Sequence, residues 1–112
     1  MNTANFYEVS LIREILNEVK SERIRQIEQG WTLAHDDTHS DGEIALAAAC
    51  YALESADQCS LGILKQIWPW EKEYWKPRRS RRLNLMRAAA LIVAEIERID
   101  RKVRAEGISS HV

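Results

Sequence analysis

Residues 80–106 read SRRLNLMRAAALIVAEIERIDRKVRAE, and the apolar spacing in this stretch decides the fold. Leu83, Met86, Ala90, Val93, Ile96, Ile99 and Val103 keep the three- and four-residue intervals of one helix face, with Gly107 just beyond as a stop. A helix over Ser80–Glu106 would be about 40 Å long at 1.5 Å per residue. Working back, Pro77 and Pro69 push Lys76 and Trp68 toward an extended conformation, so the segment 57–77 is punctuated at both ends. Leu61, Ile63, Leu64 and Ile67 fit a short apolar helical turn inside it, and the whole reads as a folded connector rich in tryptophan. Before it, Ser40 and Glu43 form the S-x-x-E capping pattern ahead of a helix over Asp41–Ala56. Six alanines of that helix (Ala45, Ala47, Ala48, Ala49, Ala52 and Ala56) leave little bulk, so a neighbouring backbone can come close. Trp31–Ser40 has no periodicity and reads as a structured loop. From Asn5 to Gln29, Val9, Ile12, Leu16, Val19, Ile24 and Ile27 predict an amphipathic helix closed by Gly30. Its stripe slips in phase after Val19, which places a kink or a change of packing surface near Ser21.

No strand-like alternation, repeat or low-complexity tract competes with this pattern, so the expected fold is all-α. It is a three-helix bundle-like single domain over 1–112, with two long helices and a Trp-rich connector. One hydrophobic core is what 112 residues can build. The long helices outrun what the alanine-rich middle helix can cover, so self-association along their exposed ends is expected. A homo-oligomer results, most simply a dimer, with residues 1–20 as an oligomerisation extension of the first helix. The net charge of −1, with 46% apolar and 29% charged residues, excludes a whole-molecule attraction to nucleic acid. Any preference for anions must be local. The N-terminus lacks a signal-peptide pattern and no apolar run approaches the roughly 20 residues of a membrane span. The expectation is a cytoplasmic chain with no membrane partner, whose Cys50 and Cys59 are reduced thiols.

Three clusters could carry chemistry. Positive side chains at a helix N-terminus oppose the macrodipole, so Arg78, Arg79, Arg81 and Arg82 ahead of the last helix call for something negative. A phosphate gripped by arginine forks, with a base stacked on Trp70 or Trp75, answers that need. Internal neutralisation by Asp36, Asp37, Asp41, Glu71 and Glu73 answers it too, with the tryptophans as core. In the second cluster, His35-Asp36-Asp37-x-His39, the residues His35, Asp37 and His39 can set polar specificity toward a ligand. The same imidazoles and carboxylates suit a divalent metal, which stays unassigned, while Thr38 and the aspartates also serve simply as loop and cap residues. The third cluster is Glu54 with Asp57 and Glu97 with Asp100, each spaced E-x-x-D. Such pairs can hold magnesium against a pyrophosphate, as in all-α nucleotide pyrophosphohydrolases. An exposed ion pair of Glu97 with Arg101 explains the second pair without catalysis. For a nucleophile, Cys50 sits in an apolar helix where an inert thiol is expected.

The pieces Glu22-Arg23-x-x-Gln26, Gly30-Trp31-Thr32-x-x-His35-Asp36-Asp37-x-His39, Gly42-Glu43-x-Ala45-x-Ala47-Ala48-x-Cys50-Tyr51-Ala52, Trp68-Pro69-Trp70 with Trp75-Lys76-Pro77, and Ala90-Leu91-Ile92-x-Ala94-Glu95-Ile96-Glu97-Arg98 together resemble a family of small proteins encoded by tailed phages and prophages. The resemblance spans about Ser21 to Arg101 and departs from the pattern in the dense Arg78–Arg82 run. It carries no catalytic or binding role to any residue. What it implies is context: an accessory gene product acting in a bacterial host cell, where small phage proteins often counter host defence.

The leading expectation is therefore a non-enzymatic, counter-defence phage or prophage protein. It binds a host defence complex or sequesters a phosphate-bearing nucleotide signal, and needs no cofactor. Two alternatives stand beside it: a magnesium-dependent pyrophosphohydrolase-like enzyme and a nucleic-acid-binding regulator.

Overall fold

The computed structural model describes residues 3–54 and 61–107, and every regular element among them is helical. The order is α1 (Phe6–Glu28), α2 (Leu33–Asp36), α3 (Glu43–Leu53), α4 (Leu61–Ile67), a 3₁₀ turn (Lys72–Tyr74) and α5 (Arg81–Ala105). The chain is thus all-α with two long helices, as the periodicity implies. Local chemistry sets the ends. Asn5 caps α1 by accepting from the Glu8 N–H at 2.8 Å, and Ser80 caps α5 by accepting from the Leu83 N–H at 3.2 Å. Gly30, at φ +107°, closes α1. The Trp31 and Gly30 N–H groups turn back to the Gln26 and Ile27 carbonyls at 3.0 and 3.1 Å, the Schellman pattern.

Several expectations are corrected. Helix α1 runs unbroken through Ser21, so the phase slip marks a change of surface and not a kink. Ser40 does not cap α3. That helix starts behind Gly42, at φ +87°, and the Glu43 carboxylate accepts from the Asp41 N–H instead. Within Trp31–Ser40 a full helical turn forms, because Thr32 accepts from the His35 N–H at 3.2 Å. Ala56, Asp57 and Cys59 lie outside the described residues.

The largest correction concerns what is buried. Of the apolar stripes expected to face the core, only Val19 in α1 and Ala90 in α5 are buried. Helix α5 is the hub, packed against α1, α2 and α3, and it buries Asn84, Ala88, Ala90, Ala94 and Arg98. Facing it, α3 offers Ile44, Ala47, Ala48, Cys50 and Tyr51. Small residues on both helices bring the backbones together, and Trp68 closes that cluster from the connector. A polar layer ties the other end. Buried Arg23 of α1 reaches Asp36 of α2 at 3.0 Å and Glu97 of α5 at 2.9 Å, while Arg101 holds Asp37 at 2.8 Å. Burial pushes the Asp36 carboxyl above its ordinary value, and the charges of Arg23, His35 and Arg101 offset part of that push.

Helices α1 and α5 run side by side with Glu18 next to Arg82 (2.7 Å), so the first three turns of α1 extend past the start of α5. The radius of gyration, 15.9 Å, exceeds the roughly 13 Å of a compact chain of this length. No described helix is long and apolar enough to cross a membrane.

The close approach of α3 and α5 has a direct test. Ala90 has no exposed surface, so Ala90→Leu should overpack the seam and lower stability by about 1–3 kcal/mol. Thermal unfolding followed by circular dichroism should show Tm falling by roughly 5–15 °C.

Candidate functional site: an aromatic cleft with a basic rim

Where α1 ends, the connector crosses and α5 begins, a cleft of about 660 Å³ opens. Each wall is placed by a local rule. The Gly30 turn swings Trp31 out of α1 toward the connector, and the turn capped by Thr32 brings His35 beside it, with ring centroids 5.1 Å apart. His39 follows one turn later, 5.0 Å from the His35 ring and 4.9 Å from Trp70. Trp31 stacks on Trp70 at 5.6 Å and meets Tyr74 edge-on at 6.1 Å. Trp70 in turn stands edge-on to Trp68, which stacks on Trp75, both at 5.6 Å. Rings at these distances hold one another in fixed orientations. The connector is also anchored by hydrogen bonds: Trp68 Nε1 donates to the Glu71 carbonyl at 3.0 Å and the Lys76 N–H donates to the Tyr51 hydroxyl at 3.0 Å.

The rim is cationic. Arg25, Lys76, Arg78 and Arg87 line the cleft together with the amides of Gln26 and Gln29, and among the described residues no carboxylate lines it. Arg87 lies over the Tyr51 ring at 5.3 Å and donates to the Lys76 carbonyl. Just behind the rim, Glu22 is gripped by Arg25 through two bonds of 2.6 and 2.7 Å and lies 3.8 Å from Arg87. Burial pushes the Glu22 carboxyl up, but the Arg25 hydrogen bond and the charges of Arg25 and Arg87 outweigh it and hold the group below its ordinary value. Glu22 therefore stays ionised and aligns two arginines while leaving the rim a surplus of positive charge.

Arg78 is set by a device that periodicity does not reveal. Asn84, with no exposed surface, accepts from the Arg78 N–H at 2.7 Å and donates to the Arg78 carbonyl at 2.9 Å. The loop before α5 is thereby pinned at one residue. Two more groups of the cleft walls await partners: Gln26 Oε1 and Trp70 Nε1 are buried without a hydrogen bond, a state that ordinarily costs about 1–3 kcal/mol per group.

Of the residues singled out from sequence, the cleft gathers Arg78, Trp70 and His35, with His39 just behind. The others lie elsewhere. Arg82 pairs with Glu18 of α1, outside the cleft lining. Arg81 donates to the Ala52 and Glu54 carbonyls at the end of α3, offsetting that helix's negative terminus. Arg79 is exposed on the turn before α5. Trp75 packs beneath Trp68, and Asp37 serves Arg101. Internal neutralisation of the arginine run is thus partial, and it comes from Glu18 and helix carbonyls, not from Asp36, Asp37, Asp41, Glu71 or Glu73.

Glu54 and Glu97, the described glutamates of the two acidic pairs, do not converge. Glu97 is bound by Arg23, and it stands about 24 Å along α5 from Arg81, the residue that touches Glu54. Among the described residues no group of three or more His, Cys, Asp or Glu side chains is placed to hold a metal ion. Sequence reasoning missed Trp31, Arg25, Gln26 and Arg87, whereas Lys76 belongs to the basic stretch it picked out. One available signal was Arg25-Gln26 one turn before the Gly30 stop.

Removing the Asn84 clamp should loosen this corner. Asn84→Ala leaves the Arg78 N–H and carbonyl without their partner, so a loss of about 2–4 kcal/mol is expected in denaturant unfolding. An unchanged midpoint would show that the clamp does not matter. Comparison of the chain with known proteins finds no matching family model, no similar curated protein and no similar solved structure.

Proposed function

We propose that the cleft binds a nucleotide, a ligand with both a planar base and a phosphate, and that the protein sequesters it without turning it over. One observation carries this reading: among the described residues, four cationic side chains and no carboxylate line a cleft walled by indole and phenol rings. The charge selects an anion and the rings select a flat aromatic group. A volume near 660 Å³ falls within the range of small-molecule sites.

The biological setting we propose is an accessory protein of a phage or prophage, supported by the motif resemblance given above, with a host nucleotide signal as cargo. An enzymatic role finds less support, because Glu97 is already engaged by Arg23 and sits far from Glu54. A track for a nucleic-acid strand finds little as well, since Arg78, Arg81 and Arg82 diverge to three different surroundings.

Titration of the full chain with mono- and dinucleotides, linear and cyclic, checks the proposal by tryptophan fluorescence and calorimetry. Binding should change the emission of the Trp31–Trp70 stack, and the nucleotide should be recovered intact with or without magnesium. Arg78→Ala and Trp31→Ala should each weaken binding roughly 10- to 100-fold, the effect of losing a charged hydrogen bond or a stacking face. Arg82→Ala, which does not touch the cleft lining, should leave affinity unchanged. Failure of every nucleotide to bind, or equal losses in Arg78→Ala and Arg82→Ala, would refute the assignment.

A further inference from the structure

Beside its four permanent cations the cleft presents an imidazole. His35 is exposed and lines the same cavity, and among the described residues its ring has no hydrogen-bond or ion-pair partner. The residue is tied down through its main chain: its N–H donates to the Thr32 hydroxyl at 3.2 Å, and its carbonyl accepts from the Thr38 hydroxyl at 2.7 Å. Contacts with the rings of Trp31 and His39, at 5.1 and 5.0 Å, set its place in the wall.

The neighbouring imidazole is differently engaged. His39 Nδ1 lies 3.2 Å from a Glu43 carboxylate oxygen, and because an ionised carboxylate only accepts, Nδ1 carries the proton of that bond. The acids of α2 and of the helices beside it are taken up as well. Asp36 and His35 attract one another, but Asp36 is buried against Arg23 of α1 at 3.0 Å. Asp37 is held by Arg101 of α5, and Glu97 by Arg23. On the cleft side the charges are all positive: Arg25 from α1, Lys76 and Arg78 from the connector, and Arg87 from α5. Seating an anion among them changes what a proton on the His35 ring costs, since the cations alone repel that proton and a phosphate attracts it. Imidazole is the side chain whose charge ordinarily changes between about pH 5 and 8.

We infer that the cleft takes up its ligand together with a proton: a phosphate seated there draws a proton from solvent onto His35, which becomes a further cation of the site. This inference rests on the nucleotide reading of the cleft. Linkage is reciprocal, so a ligand that tightens proton binding at His35 is itself bound more tightly, by the same factor, when the proton is present. Affinity therefore rises as pH falls. Because His35 is exposed, water screens the pair, and the gain between pH 8 and pH 6 is about 3- to 10-fold. Retention of the cargo then responds to proton concentration with no movement of the backbone.

Calorimetry of the full chain tests this with two phosphodiesters, cyclic AMP and adenylyl-adenosine, because a phosphomonoester changes its own charge at about pH 6 and a phosphodiester does not. Titrations at about pH 6, 7 and 8, each in two buffers of different ionisation enthalpy, read affinity and proton uptake together. The dissociation constant should fall about 3- to 10-fold on acidification, with net proton uptake on binding. In His35→Gln both the pH dependence and the uptake should disappear, whatever the absolute affinity, whereas His39→Gln should keep them. If only phosphomonoesters bind, the difference in proton uptake between wild type and His35→Gln gives the same reading, since the ligand's own protons cancel. Binding that ignores pH, or a pH dependence that survives in His35→Gln or is lost only in His39→Gln, overturns the linkage and leaves the nucleotide reading standing. If no nucleotide binds at any of these pH values, both fall.

Discussion

The close contact between α3 and α5 is the constraint from which the rest of the structure follows. Alanines on both helices, with Cys50 and the fully buried Asn84, bring the two backbones together. Contact at that distance is stabilised by dispersion and exclusion of water, but each alanine removes little apolar area, so the seam alone cannot supply the burial a chain of this length needs. The deficit is met in two places. The connector lays its tryptophans over the end of the seam, where Trp68 sinks in and the others overlap outward in a chain of ring contacts. Elsewhere the long helices keep isoleucines and leucines on their outer faces.

This arrangement explains which parts of the fold were legible in the sequence. Helix identity and extent were readable at α5, because a long periodic run and the Gly107 stop agree. The stop at Gly30 was readable for the same reason. Which face is core was not. Hydropathy periodicity assumes that the largest apolar residues point inward, yet here alanine and satisfied polar groups do so, and Val93, Ile96 and Ile99 remain outside. The capping pattern at Ser40 misled because the turn there needs Gly42 in the left-handed region, which moves the helix start to Glu43.

Half of the site was visible for comparable reasons. Trp70, His35 and Arg78 stand out by residue type, and the structure brings them to one cleft. Density of charge along the chain was a poor guide to density in space. The arginines at 78–82 point to different surroundings because successive residues of a turn and a helix start radiate outward, and Glu18 and the carbonyls ending α3 were there to receive two of them. The cationic rim instead draws on three separate segments: Arg25 from α1, Lys76 and Arg78 from the connector, and Arg87 from α5. No local pattern could have joined them. Glu22 has a similar role that only the fold discloses, since a single ionised carboxylate behind the rim orients two guanidinium groups and still leaves the cleft without an acid.

Helix α5 thus serves three surroundings at once. Asn84 and Ala88 face the core, Arg87 and Leu91 face the cleft, and Leu85, Ile92, Ile96 and Ile99 face outward. In a rigid helix these faces cannot be adjusted independently, because a rotation that improves one degrades the others. The Asn84 clamp fixes Arg78 to the same body that carries the seam. Preorganised charge binds an anion more tightly than charge that must first be gathered. The economy of the inner seam, which leaves so much apolar surface outside, is then consistent with a cleft whose geometry has to be held still.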